Sequence, residues 1–162
     1  MPICIRAARI DDAAEVCAVV RRSITELCDL DHGGDAVLLA KWLSNKTVEN
    51  VSRWISHSHF FVAEERGAIV GAAAMNQVGK IMLNYISPDA RFRGVSKALV
   101  LRLEDTARAL GLSQCSLETT QTALRFYLAR GYVATGQSYV LPLTGMPAIV
   151  LSKRLQPAEP AK

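Results

Sequence analysis

The residues best placed to do chemistry lie in the run from Asn84 to Leu99, Asn-Tyr-Ile-Ser-Pro-Asp-Ala-Arg-Phe-Arg-Gly-Val-Ser-Lys-Ala-Leu. An apolar strand runs into Pro88, a short basic loop follows, and a long amphipathic helix is expected from Gly94. A strand that feeds a glycine-containing loop into a helix start gathers several free backbone N–H groups at one point. The helix dipole adds roughly half a positive charge there, which makes the junction an anion site. Arg91 and Arg93 bring two full charges, and the planar guanidinium suits phosphate oxygens. The loop reads as a pyrophosphate cradle.

Two elements must hold such a cradle, a strand ending near Ile86 and a helix beginning at Gly94. The strand is Lys80 to Ile86, with Ile81, Leu83 and Tyr85 on one face and Met82, Asn84 and Ile86 on the other. The helix runs to about Leu110, with Val95, Leu99, Leu103, Thr106, Ala107 and Leu110 turned inward. Glu104 and Arg108 are expected as an i,i+4 pair on its outer face, with Gly111 closing it. Upstream, Ile3 to Ala7 reads as a strand, and Asp11 or Asp12 caps a helix that continues to about Leu27. Cys28 to Asp35 reads as a polar loop, and short helices follow over Val37–Leu43 and Thr47–Ser56. Phe60–Glu64 and Ala68–Met75 pair through a tight turn at Glu65-Arg-Gly67, and with Lys80–Ile86 they make an antiparallel meander. Downstream come the strand Ser113–Glu118, the helix Thr119–Arg130 and the strands Tyr132–Val140 and Ala148–Leu155. A helix separates Lys80–Ile86 from Ser113–Glu118, so those two strands are expected to run parallel.

At 162 residues, half of them hydrophobic, the chain has the material for one globular domain. Residues 1–155 are read as that domain and 156–162 as a disordered Pro/Ala-rich tail. A net charge of +4 suits an anionic ligand. No stripe of basic and aromatic residues supports a nucleic-acid surface. Cys4, Cys17, Cys28 and Cys115 lack metal-site or disulfide spacing and read as reduced thiols, with no metal expected. The charged start and the lack of a long apolar run predict neither a signal peptide nor a membrane span, and hence a cytoplasmic protein.

This order of elements resembles the acyl-CoA-dependent N-acetyltransferases of the GNAT superfamily, over Ile3 to Leu155. Arg91-Phe-Arg-Gly94-Val-Ser96 is similar to that family's Arg/Gln-x-x-Gly-x-Gly/Ala loop, with Pro88 three residues ahead. Ala123-Leu-Arg-Phe-Tyr127-Leu-Ala-Arg-Gly131-Tyr132 is similar to its Ala-x-x-x-Tyr-x-x-x-Gly-Phe/Tyr segment. Ser96 departs from the usual Gly or Ala, and Thr119, Thr120 and Thr122 stand where many members have an Asn.

The resemblance implies an α/β fold with a mixed, mostly antiparallel six- to seven-stranded sheet, helices on both faces and a splay between strands 4 and 5. It implies acetyl-CoA as co-substrate. Its pyrophosphate would be held around Arg91, Phe92, Arg93, Gly94, Val95, Ser96 and Lys97, and its pantetheine arm by the backbone of Tyr85 and Ile86 and by Thr122. Tyr127 matches the general acid that protonates the departing thiolate. A phenol near pKa 10 feeding a thiolate near 8.5 works uphill by about 1.5 units, roughly 2 kcal/mol.

The acceptor implied is a primary amine, of a small molecule or a peptide N-terminus, attacking directly in a ternary complex. Such an amine must shed a proton. Glu118, at the strand end facing the splay, leads a field that also holds Glu26, Asp29, Asp31, His32, His57 and His59. The loop Cys28–Asp35, Trp42, Trp54 and the stretch Leu141–Pro147 are the expected specificity region, where Asp29, Asp31 and Asp35 favour a cationic acceptor. A catalytically silent acyl-CoA-binding module of the same fold is the alternative, and a homodimer through the late strands is left open.

Overall fold

The computed structural model describes residues 2–157. In chain order the elements are β1 (Cys4–Ala7), a 3-10 turn (Ile10–Asp12), α1 (Ala13–Leu27), α2 (Asp29–His32), α3 (Ala36–Leu43), α4 (Val48–His57), β2 (His59–Glu65), β3 (Ala68–Met75) and β4 (Ile81–Ile86). A second 3-10 turn (Pro88–Ala90), α5 (Val95–Ala109), β5 (Gln114–Thr119), α6 (Gln121–Ala129), β6 (Val133–Val140) and β7 (Pro147–Arg154) follow. Strands β1-β2-β3-β4 form one antiparallel sheet and β5-β7-β6 a second. The two join at an isolated parallel bridge between Lys80 and Ser116, where the Ser116 N–H donates to the Gly79 carbonyl at 3.1 Å. Seven strands, mostly antiparallel, with a parallel contact that opens between β4 and β5, match the sequence expectation.

Local chemistry explains both the meander and the opening. Arg66 and Gly67 both have positive φ (52° and 78°), the two-residue turn whose twist suits a β2–β3 hairpin. Gly79 has φ +87°, and a Cβ there would lie 2.8 Å from the Gln114 carbonyl oxygen, so only glycine lets β4 begin against β5. Two residues on, Met75 pairs with Ile81 and Ala74 with Leu83, which leaves Met82 as a bulge. A bulge bends its strand. β4 therefore leaves β5 just past the bridge.

Both faces of the first sheet are covered. On one, Val16, Val20 and Ile24 of α1 pack with Trp42, Val51, Val62, Ala72 and Leu83. On the other, Val95, Leu99, Leu103 and Ala107 of α5 pack on Phe61, Ala63 and Ala73 and reach Leu117 and Leu151 of the second sheet. The alanines of β3 present small side chains to helices on both sides.

Several expectations change. Glu104 is not on an outer face: it is fully buried, accepting from Tyr132 Oη at 2.9 Å and from Lys153 Nζ at 3.0 Å. α5 is wedged between two sheets, so its buried arc is wider than one stripe, and two distant residues supply the partners the charge needs. Arg108 pairs instead with Asp105, while Leu110, at the helix end, is exposed. Cys28–Asp35 is not an irregular loop, since it contains α2. Thr119, expected to open a helix, closes β5. Asp12 precedes α1, but its carboxylate takes two bonds from the Arg6 guanidinium and one from the Arg9 N–H rather than capping forward. The Arg6 guanidinium holds the Asp12 carboxyl below its usual range. The tail expected to be disordered falls outside the described residues from position 158 on.

Candidate active site

The loop after β4 enters α5 through two left-handed residues, Phe92 (φ 62°) and Gly94 (φ 79°). Strain at Phe92 costs about 1–2 kcal/mol. Among the described residues no hydrogen bond uses the backbone N–H groups of Val95, Ser96 or Lys97, the first turn of a 15-residue helix. A Cβ on Gly94 would meet nothing within 4 Å, so its glycine answers to φ and to open space above the loop. The flanking charges differ from expectation. Arg93 is committed to Glu65, Nη1 to Oε2 at 2.7 Å. Among the described residues Arg91 pairs with no carboxylate, and it stacks on the Phe92 ring, 4.6 Å from its centroid. Phe92 is itself 88% exposed.

From this loop a cavity of about 680 Å³ runs through the gap between β4 and β5 to the α1–α3 side of the sheet. Its wall includes every residue of the basic loop from Arg91 to Lys97, together with Tyr85, Ile86, Glu118, Thr122 and Tyr127. The separated sequence candidates thus share one cavity. Ser87 N–H donates to the Val70 carbonyl, and alternation along the strand then commits Tyr85 to β3. Asn84 and Ile86 turn their amide and carbonyl groups to the open side. Of the pair expected to receive an extended ligand, Ile86 has its backbone available and Tyr85 does not. Both side chains are also core, packed on opposite faces, and burial pushes the Tyr85 phenol well above its ordinary pKa.

Tyr127 is 5% exposed, with its ring edge-on to Phe126 and Tyr132 at 5.0 and 5.4 Å. Its hydroxyl accepts from Asn84 Nδ2 at 3.3 Å. Burial pushes its pKa up to about 12, against a small lowering from that amide. Asn84 had no assigned role in the sequence. It is found here because β4 sets it opposite Tyr127. Its Oδ1 and the Thr122 hydroxyl are both buried and have no hydrogen-bond partner among the described residues. Two orphaned polar atoms in one apolar wall are what a hydrogen-bonding ligand would satisfy.

Of the groups expected to take a proton, Glu118 alone lines the cavity, paired with Lys80 Nζ at 2.6 Å. Asp31 caps α6 instead, accepting from the Thr120 hydroxyl at 2.8 Å and the Thr122 N–H at 3.2 Å. Asp35 caps α3 through the Val37 and Leu38 N–H groups. His32 is buried rather than a solvated turn residue. Its Nδ1 accepts from the Gly34 N–H at 3.0 Å, so its Nε2 donates to the Ile24 carbonyl at 3.1 Å and neither nitrogen is left for a substrate. Asp29 faces solvent and Glu26 pairs with Arg22. His57 is exposed, and His59 binds Gln77 at the opposite end of the sheet. The acidic acceptor site expected from Asp29, Asp31 and Asp35 does not form, because none of the three lines the cavity. Cys28, Trp42 and Leu141 to Thr144 do line it, and Trp54 does not.

Lys46, unremarked in the sequence, stands in the same wall. It is 8% exposed, and burial lowers its pKa to about 8. Cys28 of the same wall is buried, which raises its thiol to about 12 and leaves it unreactive. Among the described residues no cluster of His, Cys, Asp or Glu is placed to hold a metal ion, and no helix is long and apolar enough to cross a membrane.

A family model described as an acetyltransferase (GNAT) domain matches residues 28–142. A protein of Azospirillum brasilense named IAA acetyltransferase is 33% identical over 85 residues. The match covers 48% of this chain and 56% of that relative, so the shared stretch is about half of each. Among solved structures, a GCN5-related N-acetyltransferase from Rhodopseudomonas palustris superposes with a TM-score of 0.86 at 24% identity, covering 96% of this chain and 97% of that one. The PaiA N-acetyltransferase of Thermoplasma acidophilum, solved in complex with coenzyme A, gives 0.78 at 17% identity, covering 95% and 99%. At these identities the two structures establish a shared fold.

Proposed function

The chain belongs to the GNAT acetyltransferase family, and we propose that residues 1–155 form one N-acetyltransferase domain that moves an acetyl group from acetyl-CoA to a primary amine. The observation that carries this reading is the shared cavity: an open helix N-terminus at one end, a buried phenol at its middle and unsatisfied amide and hydroxyl groups between them. Acetyl-CoA supplies the acyl group as a thioester. The N–H groups of Val95, Ser96 and Lys97, with Arg91, hold its diphosphate. Ile86 and Asn84 pair with its amide-bearing arm as an added strand would, and Thr122 gives that arm a hydroxyl contact.

The amine nitrogen bonds to the thioester carbonyl carbon, the carbon–sulfur bond breaks with its electron pair going to sulfur, and Tyr127 gives sulfur its proton. The proton lost by the amine passes to Glu118, the carboxylate of the cavity wall, and solvent restores both groups. With Tyr127 near 12, donation to an ordinary thiolate is uphill by about 3.5 units, roughly 5 kcal/mol. A thiolate in the same apolar wall is raised by the same desolvation, which narrows the gap. The catalytically silent alternative has no observation in its favour. Buried, unpaired thiols at Cys17, Cys28 and Cys115 support a reducing compartment, and we place the protein in the cytoplasm.

Calorimetric titration with CoA, followed by thiol release from acetyl-CoA over a panel of amines, tests the reading. Micromolar CoA binding and amine-dependent thiol release are expected. The absence of CoA binding would overturn it.

A further inference from the structure

Lys46 is the feature of the cavity wall that acetyl transfer leaves unused. It sits on the link between α3 and α4, and its ammonium donates to the Trp42 carbonyl at 3.2 Å and to the Asn45 side-chain oxygen. An ammonium has three donors, so one remains. Among the described residues it makes no ion pair. The charge that acts on it is of the same sign: Arg21 of α1, whose guanidinium donates to the Lys46 backbone carbonyl at 2.9 Å. The other charges of the cavity are already accounted for. Lys80 is paired with Glu118, Arg93 with Glu65, and Arg91 and Lys97 stand at the phosphate loop.

A buried cation without a counter-charge is costly, and removing that cost favours a ligand that brings the missing anion. The Trp42 carbonyl bonds Lys46 directly, and the same cavity is also lined by the apolar Leu27, Leu141 and Leu143. We propose that Lys46 binds a carboxylate of the acceptor, so that the acceptor is an amine carrying both a carboxylate and an apolar group, of the amino-acid class. This rests on the acetyl-transfer reading for the amine and on the cavity alone for the carboxylate. It reverses the cationic acceptor expected from the three aspartates. Polyamines and aminoglycosides would meet an uncompensated positive charge at low dielectric.

The test uses methionine and phenylalanine against their carboxamides in the thiol-release assay, with wild type, Lys46→Met and Lys46→Arg, each first shown to melt cooperatively. Wild-type kcat/KM is expected to favour the carboxylates by about tenfold to a hundredfold, mostly through KM, as befits a charge-assisted hydrogen bond. Lys46→Met brings the ratio close to one, and Lys46→Arg keeps most of it. A wild-type preference for carboxamides or polyamines, or a ratio undiminished in Lys46→Met, overturns the proposal.

If no amine is acetylated, the transfer reading fails, and Lys46 is then read by calorimetry of N-acetylmethionine against its carboxamide on the CoA-treated protein. Tighter binding of the carboxylate that weakens above about pH 8, where Lys46 loses its charge, supports the proposal. Equal binding of the two overturns it, and this measurement also decides the matter if the Met variant does not fold.

Discussion

The two ends of the cavity are built from different material. At the proposed phosphate end the working groups are the contiguous backbone N–H groups of Val95, Ser96 and Lys97, and one of the two nearby arginines is already spent on Glu65. At the proposed acceptor end they are side chains: Lys46 from the α3–α4 link, Trp42 from α3, Cys28 after α1 and Leu141 to Thr144 after β6. A backbone site asks for one glycine and a helix start, and it is indifferent to most neighbouring side chains. A side-chain site can be retuned by any of its contributors. On the proposed reading, cofactor recognition is fixed at one end while acceptor choice is free to vary at the other, with Tyr127 and Asn84 between them.

That division is open to direct attack, most severely at its centre. Tyr127→Phe is expected to lower kcat by about a hundredfold to a thousandfold, with CoA affinity and acceptor KM changed less than about twofold, read by steady-state kinetics and calorimetry. Lost binding at either end would join the parts separated here. Next in size, Gly94→Val forces a branched residue into φ 79°. It should weaken CoA binding at least about tenfold while lowering the melting temperature by only about 2–8 °C, since strain there is about 1–2 kcal/mol and a Cβ meets no other atom within 4 Å.

The acceptor end carries a pH signature. Lys46 has a folded pKa near 8 against its ordinary 10.5, so between those values the unfolded chain binds more protons and this residue adds stability as pH rises. Its share is on the order of 1–3 kcal/mol. Cys28, Cys115 and the buried tyrosines, whose folded pKa values are raised, push the other way at alkaline pH. The difference between wild type and Lys46→Met, from urea unfolding at pH 7.5 and 10, isolates the lysine. Lys46→Met is expected to be the more stable at pH 7.5, and the gap to close by pH 10. The smallest effect separates two arginines: Arg91→Ala should cost several-fold in CoA affinity and Arg93→Ala less than about twofold, because exposed ion pairs hold a charge without directing it at a ligand. Equal losses would mean that Arg93 leaves Glu65 when CoA binds.

The parts of the molecule legible in the sequence share a scale. The limits of β2 to β4, the turn at Gly67 and the strand–loop–helix at Arg91 to Lys97 depend on neighbours within a few residues. They were placed to within a residue or two. Some misreadings are local, as with Ile81, which packs on the face opposite Leu83 and Tyr85 because of the bulge at Met82, but those of the buried charges involve partners far along the chain. Glu104 looked solvated because its partners are Tyr132 and Lys153, 28 and 49 residues away. Asp31 and His32 looked available until the fold brought Asp31 to the start of α6 and buried His32 against α1. Lys46 gave no signal at all, since a lysine between two short helices is ordinarily at the surface.

By itself, then, the sequence determined most of the order of elements, the two-faced sheet, the strand–loop–helix turn around Gly94 and the position of the phenol on the helix after β5. Each follows from local sterics, from hydrophobic periodicity or from a motif whose geometry is local. Only the tertiary structure decided which charges are spent inside the protein and which are left for a ligand. That depends on burial and on pairing between segments, and a charge acquires its energetic meaning only once its surroundings have been set.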